Sequence, residues 1–206
     1  MLSLASDPAS GQVRLITRVG EQPSAFKSAL ARLAPGDEVR ATGVAGDFLL
    51  PGGPDVSREI PGRGRQTRRP RLALVASGIG ITPFLAHLAR PLPGRDIVLV
   101  HGVHDAAELP LPSEVPGASR VVAVVPAGAP GCGPHGPVLR DGSALPSGWT
   151  WVDGSLEADG MLAAAAPGLS DRELMVSGPP RTVETVRRQA RAAGVRRVRT
   201  DVFVGS

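Results

Sequence analysis

With 206 residues, 42% of them hydrophobic, the chain can hold one large or two small cored domains and is too apolar to be disordered throughout. The formal charge of +4 is almost all arginine, since Lys27 is the only lysine, and with no tyrosine and 3% aromatic residues there is little on which to stack bases, which argues against a nucleic-acid partner. Cys132 is the single cysteine, which excludes an internal disulfide and an all-cysteine metal site, and without a signal pattern or a span-length apolar run the expectation is a cytoplasmic chain with no membrane span.

In chain order, Val13–Val19 alternates enough to predict a strand, Ser24 caps an Ala/Leu-rich helix through Leu33, and Pro35-Gly36-Asp37 turns into a strand over Glu38–Thr42. Strand, short helix and strand suit half of a barrel. Gly52–Arg69 is rich in glycine, proline and arginine and nearly free of apolar residues, so it reads as a linker, with Arg63, Arg65, Arg68 and Arg69 either solvated or docking a phosphate or a partner.

Leu72–Ala76 is a continuous apolar run followed by Gly78, Gly80, Pro83 and a helical pattern, which predicts a buried strand turning sharply into a helix. Such a turn suits a nucleotide. Its glycines let backbone N–H groups approach a pyrophosphate, Thr82 can cap the helix or donate to phosphate, and Pro83 fits a first helical turn. Strands at Asp96–Val100, Arg120–Val125, Glu173–Val176 and Val195–Phe203 then alternate with helices at Pro83–Arg90, Gly160–Ala166 and Thr182–Ala193, the last ended by Gly194. This alternation predicts a parallel sheet whose ligand sits at the carboxyl ends of the strands, with Ser77–Thr82, His101–His104 and Ser177–Pro180 along one rim. Pro126–Trp151 reads as a Gly/Pro-rich loop whose Cys132 and His135 are too few for a metal site.

Three stretches together resemble the ferredoxin-NADP reductase superfamily. Arg71–Leu88 (RLALVASGIGITPFLAHL) resembles its nicotinamide-binding motif. Ser177-Gly178-Pro179-Pro180 resembles its C-G-P-P motif, and Pro35-Gly36-Asp37-Glu38-Val39 through Gly46-Asp47-Phe48 the end of its flavin barrel. Leu2-Ser3-Leu4-Ala5-Ser6 partly matches the flavin motif R-x-Y-S-x-x-S, with Leu2 in the aromatic position and the Arg falling one position before Met1.

The resemblance implies an α/β chain: a partial antiparallel barrel for FAD over residues 1–51, a linker over 52–70, and a doubly wound parallel-sheet NAD(P)-binding domain over 71–206. It also implies a start within the flavin barrel. Residues 1–50 are then the less stable half, the α/β domain folds without them, and FAD is held weakly or not at all.

The implied cofactors are FAD and NAD(P)H, with NADH and NADPH both compatible. The implied reaction is hydride transfer to flavin, with electrons passing to a separate acceptor protein or domain; the basic charge suits an acidic one. Ser177 would sit beside the nicotinamide in place of the family's cysteine. Asp201, replacing a glutamate, would polarise the flavin edge or cap the chain end. Ser3, Ser6, Ile16, Thr17 and Ser24 would meet the flavin nucleotide, and Phe203 would close over the ring. Gly78, Gly80, Thr82, Pro83, Gly178 and Pro179 would meet the nicotinamide nucleotide, and His104 its phosphate or ribose. No metal site is implied. Leu2, Ser177 and the missing barrel strands leave open a second reading, a non-catalytic nucleotide-binding or regulatory member of the same fold.

Overall fold

The computed structural model describes residues 3–20, 22–43, 46–51 and 69–203. Apart from Arg69 and Pro70, the expected linker at 52–70 lies outside the described residues, and with it Arg63, Arg65 and Arg68.

In chain order the elements are α1 (Ala25–Leu30), β1 (Leu72–Ser77), a 3-10 turn at Gly78–Ile81, α2 (Thr82–Leu88), β2 (Ile97–Gly102), β3 (Arg120–Val125), the two-residue strands β4 (Cys132–Gly133) and β5 (Gly136–Pro137), β6 (Trp149–Asp153), α3 (Met161–Ala165), β7 (Glu173–Gly178), α4 (Pro180–Ala192) and β8 (Val198–Val202). Six strands form one parallel sheet in the order β6-β3-β2-β1-β7-β8, and β4 with β5 makes a small antiparallel pair. The order reverses between β1 and β7. Successive strands run outward from β1 on one side and from β7 on the other, which opens a crevice at their carboxyl ends.

Continuous apolar runs form these strands because both sheet faces are covered. On one face Ala73, Val75, Val98, Val100, Val122, Val124, Leu174 and Val176 pack against Leu162 of α3 and Val183, Val186 and Ala190 of α4. On the other, Leu72, Leu74, Ile97, Leu99, Val121 and Met175 pack against Phe84, Leu85 and Leu88 of α2. Leu72, Leu74, Phe84 and Leu99 are fully buried, each contributing roughly 1.5–3 kcal/mol of transfer free energy.

Ahead of the sheet the picture changes. The strand expected at Val13–Val19 is an irregular segment carrying one antiparallel bridge, Leu4 to Leu15, and no strand forms at Glu38–Thr42. Neither stretch meets a ladder of partners among the described residues, so alternation alone does not make it a strand. The helix capped by Ser24 is present but stops at Leu30, and Pro35-Gly36 makes the expected turn. Within Pro126–Trp151, read as a loop, lie the β4–β5 pair and the start of β6, whose half-exposed residues gave no apolar run.

The N-terminal segment is tied to the α/β unit by a few polar contacts and one aromatic pair. Asp7 pairs with Arg90 at 2.9 Å and Arg14 with Glu114 at 2.8 Å. His87 Nε2–H donates to Phe48 O at 2.9 Å, Arg95 donates to Pro51 O at 2.7 Å, and the Phe48 and Phe84 rings lie 5.6 Å apart. Among the described residues no helix is long and apolar enough to cross a membrane.

Candidate functional site

At the reversal point β1 ends in the Gly78–Ile81 turn, and this turn organises the site. Gly78 adopts φ +51°, a left-handed conformation that glycine takes without strain, and a Cβ there would meet only side-chain ends, Arg18 Nη2 and Glu108 Oε2, each at 3.8 Å. Two residues on, Gly80 serves a different need. A Cβ there would lie 2.3 Å from Ser177 O and 2.8 Å from Gly178 Cα, so its hydrogen lets the turn lie directly on the end of β7. Thr82 Oγ1 donates to Ile79 O at 3.1 Å, which closes the turn and uses the hydroxyl on backbone.

From below, the turn is held by His101. This residue on β2 is fully buried, and its Nε2 lies 2.9 Å from Gly78 O. Burial pushes its pKa down to about 4, so at neutral pH the ring is uncharged, with the proton on Nε2 donated to Gly78. Among the described residues, His101 Nδ1 and Ser177 Oγ are buried without a hydrogen-bond partner. Both belong to one cross-sheet row, Ala123, His101, Ala76, Ser177 and Asp201, whose side chains share the α2 face. Burial raises the Asp201 carboxyl above its usual range.

A cleft of about 540 Å³ opens at the carboxyl ends of the strands, where Ser77, Gly102 and Val124 line it. It lies within the roughly 300–1,000 Å³ typical of cofactor sites. One wall comes from the N-terminal segment: Ser3, Ile16, Thr17 and Ser24. The other comes from the sheet rim: Gly78, Thr82, His104, Pro179 and Phe203. The structure thus brings together nine of the residues singled out from sequence. The other six do not line this cleft. Ser6 closes a local turn, its Oγ donating to Gln12 O at 2.8 Å and accepting from Arg14 N at 3.0 Å. Gly80, Pro83 and Ser177 are buried, Gly178 lies buried behind Ser77, and Asp201 sits on the edge strand in register with Ser177. Ser24 caps α1 through an Oγ contact of 3.4 Å from Lys27 N.

Sequence reasoning passed over Arg18 and Glu108, which form an ion pair lining the cleft, and the burial of His101. Arg18 is one arginine among many, and Glu108 sits in a short 3-10 turn without periodicity, so a single sequence carried no signal for either. A second cavity of about 420 Å³ adjoins the first and shares Ile16, Thr17, Arg18, Gly78, Ile79 and Glu108 with it.

No protein-family model matches the chain. Over 80 residues it is 38% identical to the reductase subunit of an aromatic O-demethylase from an Amycolatopsis species, a match covering 37% of this chain and 21% of that protein. Among solved structures, it aligns over 98% of its length with 55% of the Amycolatopsis cytochrome P-450 reductase GcoB, at 24% identity and a TM-score of 0.63. It also aligns over 98% of its length with 76% of the FAD/NAD-binding domain of a Vibrio cholerae nitric oxide dioxygenase (19% identity, TM-score 0.60). With a Malassezia yamatoensis flavohemoglobin with bound FAD and heme the figures are 98% and 46%, at 16% identity and a TM-score of 0.57. The fold is that of the ferredoxin-NADP reductase-like enzymes. This reductase fold covers nearly the whole chain, which spans about half the length of GcoB and about a fifth of the matched curated relative.

Proposed function

We propose that the chain is the nicotinamide-binding module of an FAD-dependent NAD(P)H reductase that delivers electrons to a separate acceptor. The observation carrying this reading is the cleft at the β1/β7 reversal, open beside a left-handed Gly78 and walled by Ser24 and Phe203. Similarity to the reductase subunit of an aromatic O-demethylase and to a cytochrome P-450 reductase supports a partner that consumes electrons, such as an oxygenase. The net charge of +4 suits an acidic face on that partner.

The residues present fit such cofactors. The backbone of the left-handed Gly78 borders the cleft, Arg18 brings a cation to the same place, and the volume accepts a nucleotide. When bound, the nicotinamide supplies hydride and the flavin accepts it. The protein's part is to hold and shield. His101 fixes the turn that faces the diphosphate, Pro179 and Phe203 exclude water from the rim, and Ile16 and Thr17 line the flavin side of the cleft. Asp201, its carboxyl raised by burial, is the titratable group in the sheet row next to Ser177.

The test is to mix the purified chain with FAD and add NADH or NADPH anaerobically. Flavin absorbance should bleach faster than in free FAD, and the preferred nicotinamide nucleotide is read from the rates. A second reading, a nucleotide-binding member without hydride transfer, is favoured by the burial of Ser177 Oγ. Binding of NADH without any acceleration of flavin reduction would select it.

A further inference from the structure

We infer that Arg18 is the diphosphate anchor of the cleft and that Glu108 is its resident counter-ion, displaced when a dinucleotide binds. The inference rests on the nucleotide reading above and names the group that completes it.

Three observations meet at one place. The Arg18–Glu108 pair lies on the boundary between the two cavities, and both residues line each of them. The pair sits over the Gly78 turn, where a Cβ would be 3.8 Å from Arg18 Nη2 and from Glu108 Oε2. The other charged groups nearby are otherwise engaged. Arg14 and Arg140 both pair with Glu114, at 2.8 and 2.5 Å, and Glu157 pairs with Arg181 at 3.1 Å and accepts from Thr182 Oγ1 at 2.9 Å. Lys27 also lines the larger cavity and has an interaction of its own.

Arg18 therefore carries the cation that faces the glycine turn from both cavities. Its side chain is 59% exposed and that of Glu108 32%. Ion pairs this open to solvent are weak and exchange readily, whereas a guanidinium on a diphosphate makes two charge-assisted hydrogen bonds and meets a higher charge. A diphosphate entering beside Gly78 would take Arg18 and push the Glu108 carboxylate aside, joining the two cavities. Arg18 belongs to the N-terminal segment and Gly78 to the α/β unit, so one anion would clamp the two parts together.

Exchange makes a prediction of opposite sign for the two partners. Calorimetric titration of the 206-residue chain should use inorganic diphosphate, NADH and FAD, with adenosine as the phosphate-free control. Arg18→Gln is expected to weaken diphosphate, and whichever dinucleotide uses the anchor, by about tenfold or more. Glu108→Gln is expected to tighten them about three- to tenfold by removing the competitor. The doubly substituted chain should match Arg18→Gln, and adenosine should be unaffected throughout.

Unchanged binding to Arg18→Gln overturns the anchor. Glu108→Gln that binds no tighter, or that weakens NADH alone as a lost ribose ligand would, overturns the exchange. If diphosphate follows this pattern but NADH does not bind, the anchor stands and the nicotinamide reading falls. If diphosphate, NADH and FAD all bind Arg18→Gln undiminished, the anchor falls and the nucleotide reading stands. The NADH and FAD arms tell which dinucleotide brings the diphosphate.

Discussion

Residues 3–51 and residues 71–203 solve the problem of apolar surface in opposite ways. In the α/β unit the strands β1, β2 and β3 are buried along almost their whole length and helices cover both faces. In the N-terminal segment Leu4, Val13, Leu15, Val19, Phe26, Leu33, Val39 and Leu49 are exposed, eight of the ten large apolar side chains that remain so among the described residues. Among its described residues, Ala5 is the one buried apolar residue in the core clusters. The second region, residues 71–203, buries a core of its own, and the N-terminal segment meets it through side chains such as Asp7, Arg14 and Phe48. The cleft lies where they meet, with one wall from each region.

Two phenylalanines sharpen this contrast most. Phe84→Ala removes a fully buried ring and should cost about 3–5 kcal/mol in chemical denaturation. Phe26→Ser, at a ring 59% exposed, should change stability by less than about 0.5 kcal/mol. Comparable losses at the two sites would mean that the segment is part of the core after all.

The next effect is a pH dependence. His101 has a pKa lowered from 6.5 to about 4, so as pH falls through that interval the unfolded chain takes up a proton that the native chain refuses. Stability present above pH 6.5 is therefore lost progressively down to about pH 4, by on the order of 3 kcal/mol. His101→Phe should flatten that slope, and it should also loosen the Gly78 turn, weakening NADH binding. His101→Gln, which keeps an N–H within reach of Gly78 O, should flatten the slope yet recover part of the binding. A slope unchanged in both variants would place the titration elsewhere.

Smaller again is Gly80→Ala. Its Cβ would meet Ser177 O at 2.3 Å, and the turn would have to lift from β7 at a cost of roughly 1–3 kcal/mol in a thermal melt. Loss of nucleotide binding in this variant would then accompany a disturbed fold. Gly80 therefore cannot be used alone to map the cofactor.

The parallel strands were legible in the sequence because burial on both faces writes a continuous apolar run, as at Leu72–Ala76 and Val121–Val125. The sharp turn after β1 was legible from Gly78, Gly80 and Pro83. Val13–Val19 misled because alternation reports a face to be buried but not whether a neighbouring strand is there to pair. At Trp149–Asp153 the opposite happened, since an edge strand of half-exposed residues lacks the run that reveals its central neighbours. Gly80 was read as a phosphate-approach glycine, and only the backbone of Ser177 shows that it answers a packing need. The Arg18–Glu108 pair joins residues 90 positions apart, a relation that no local pattern encodes.

β1 is central in the sheet and first among its strands to be made. One neighbour, β2, follows within about 25 residues, but the other, β7, begins only at Glu173, some hundred residues after Leu72. At ribosomal rates of roughly 5–20 residues per second, that side of β1 stays unpaired for about 5–20 s of synthesis. During that interval Leu72–Ala76 offers nascent-chain chaperones, or a neighbouring copy on the same message, a bare apolar strand edge, so the order of translation becomes a hazard the cell must manage before any cofactor is present.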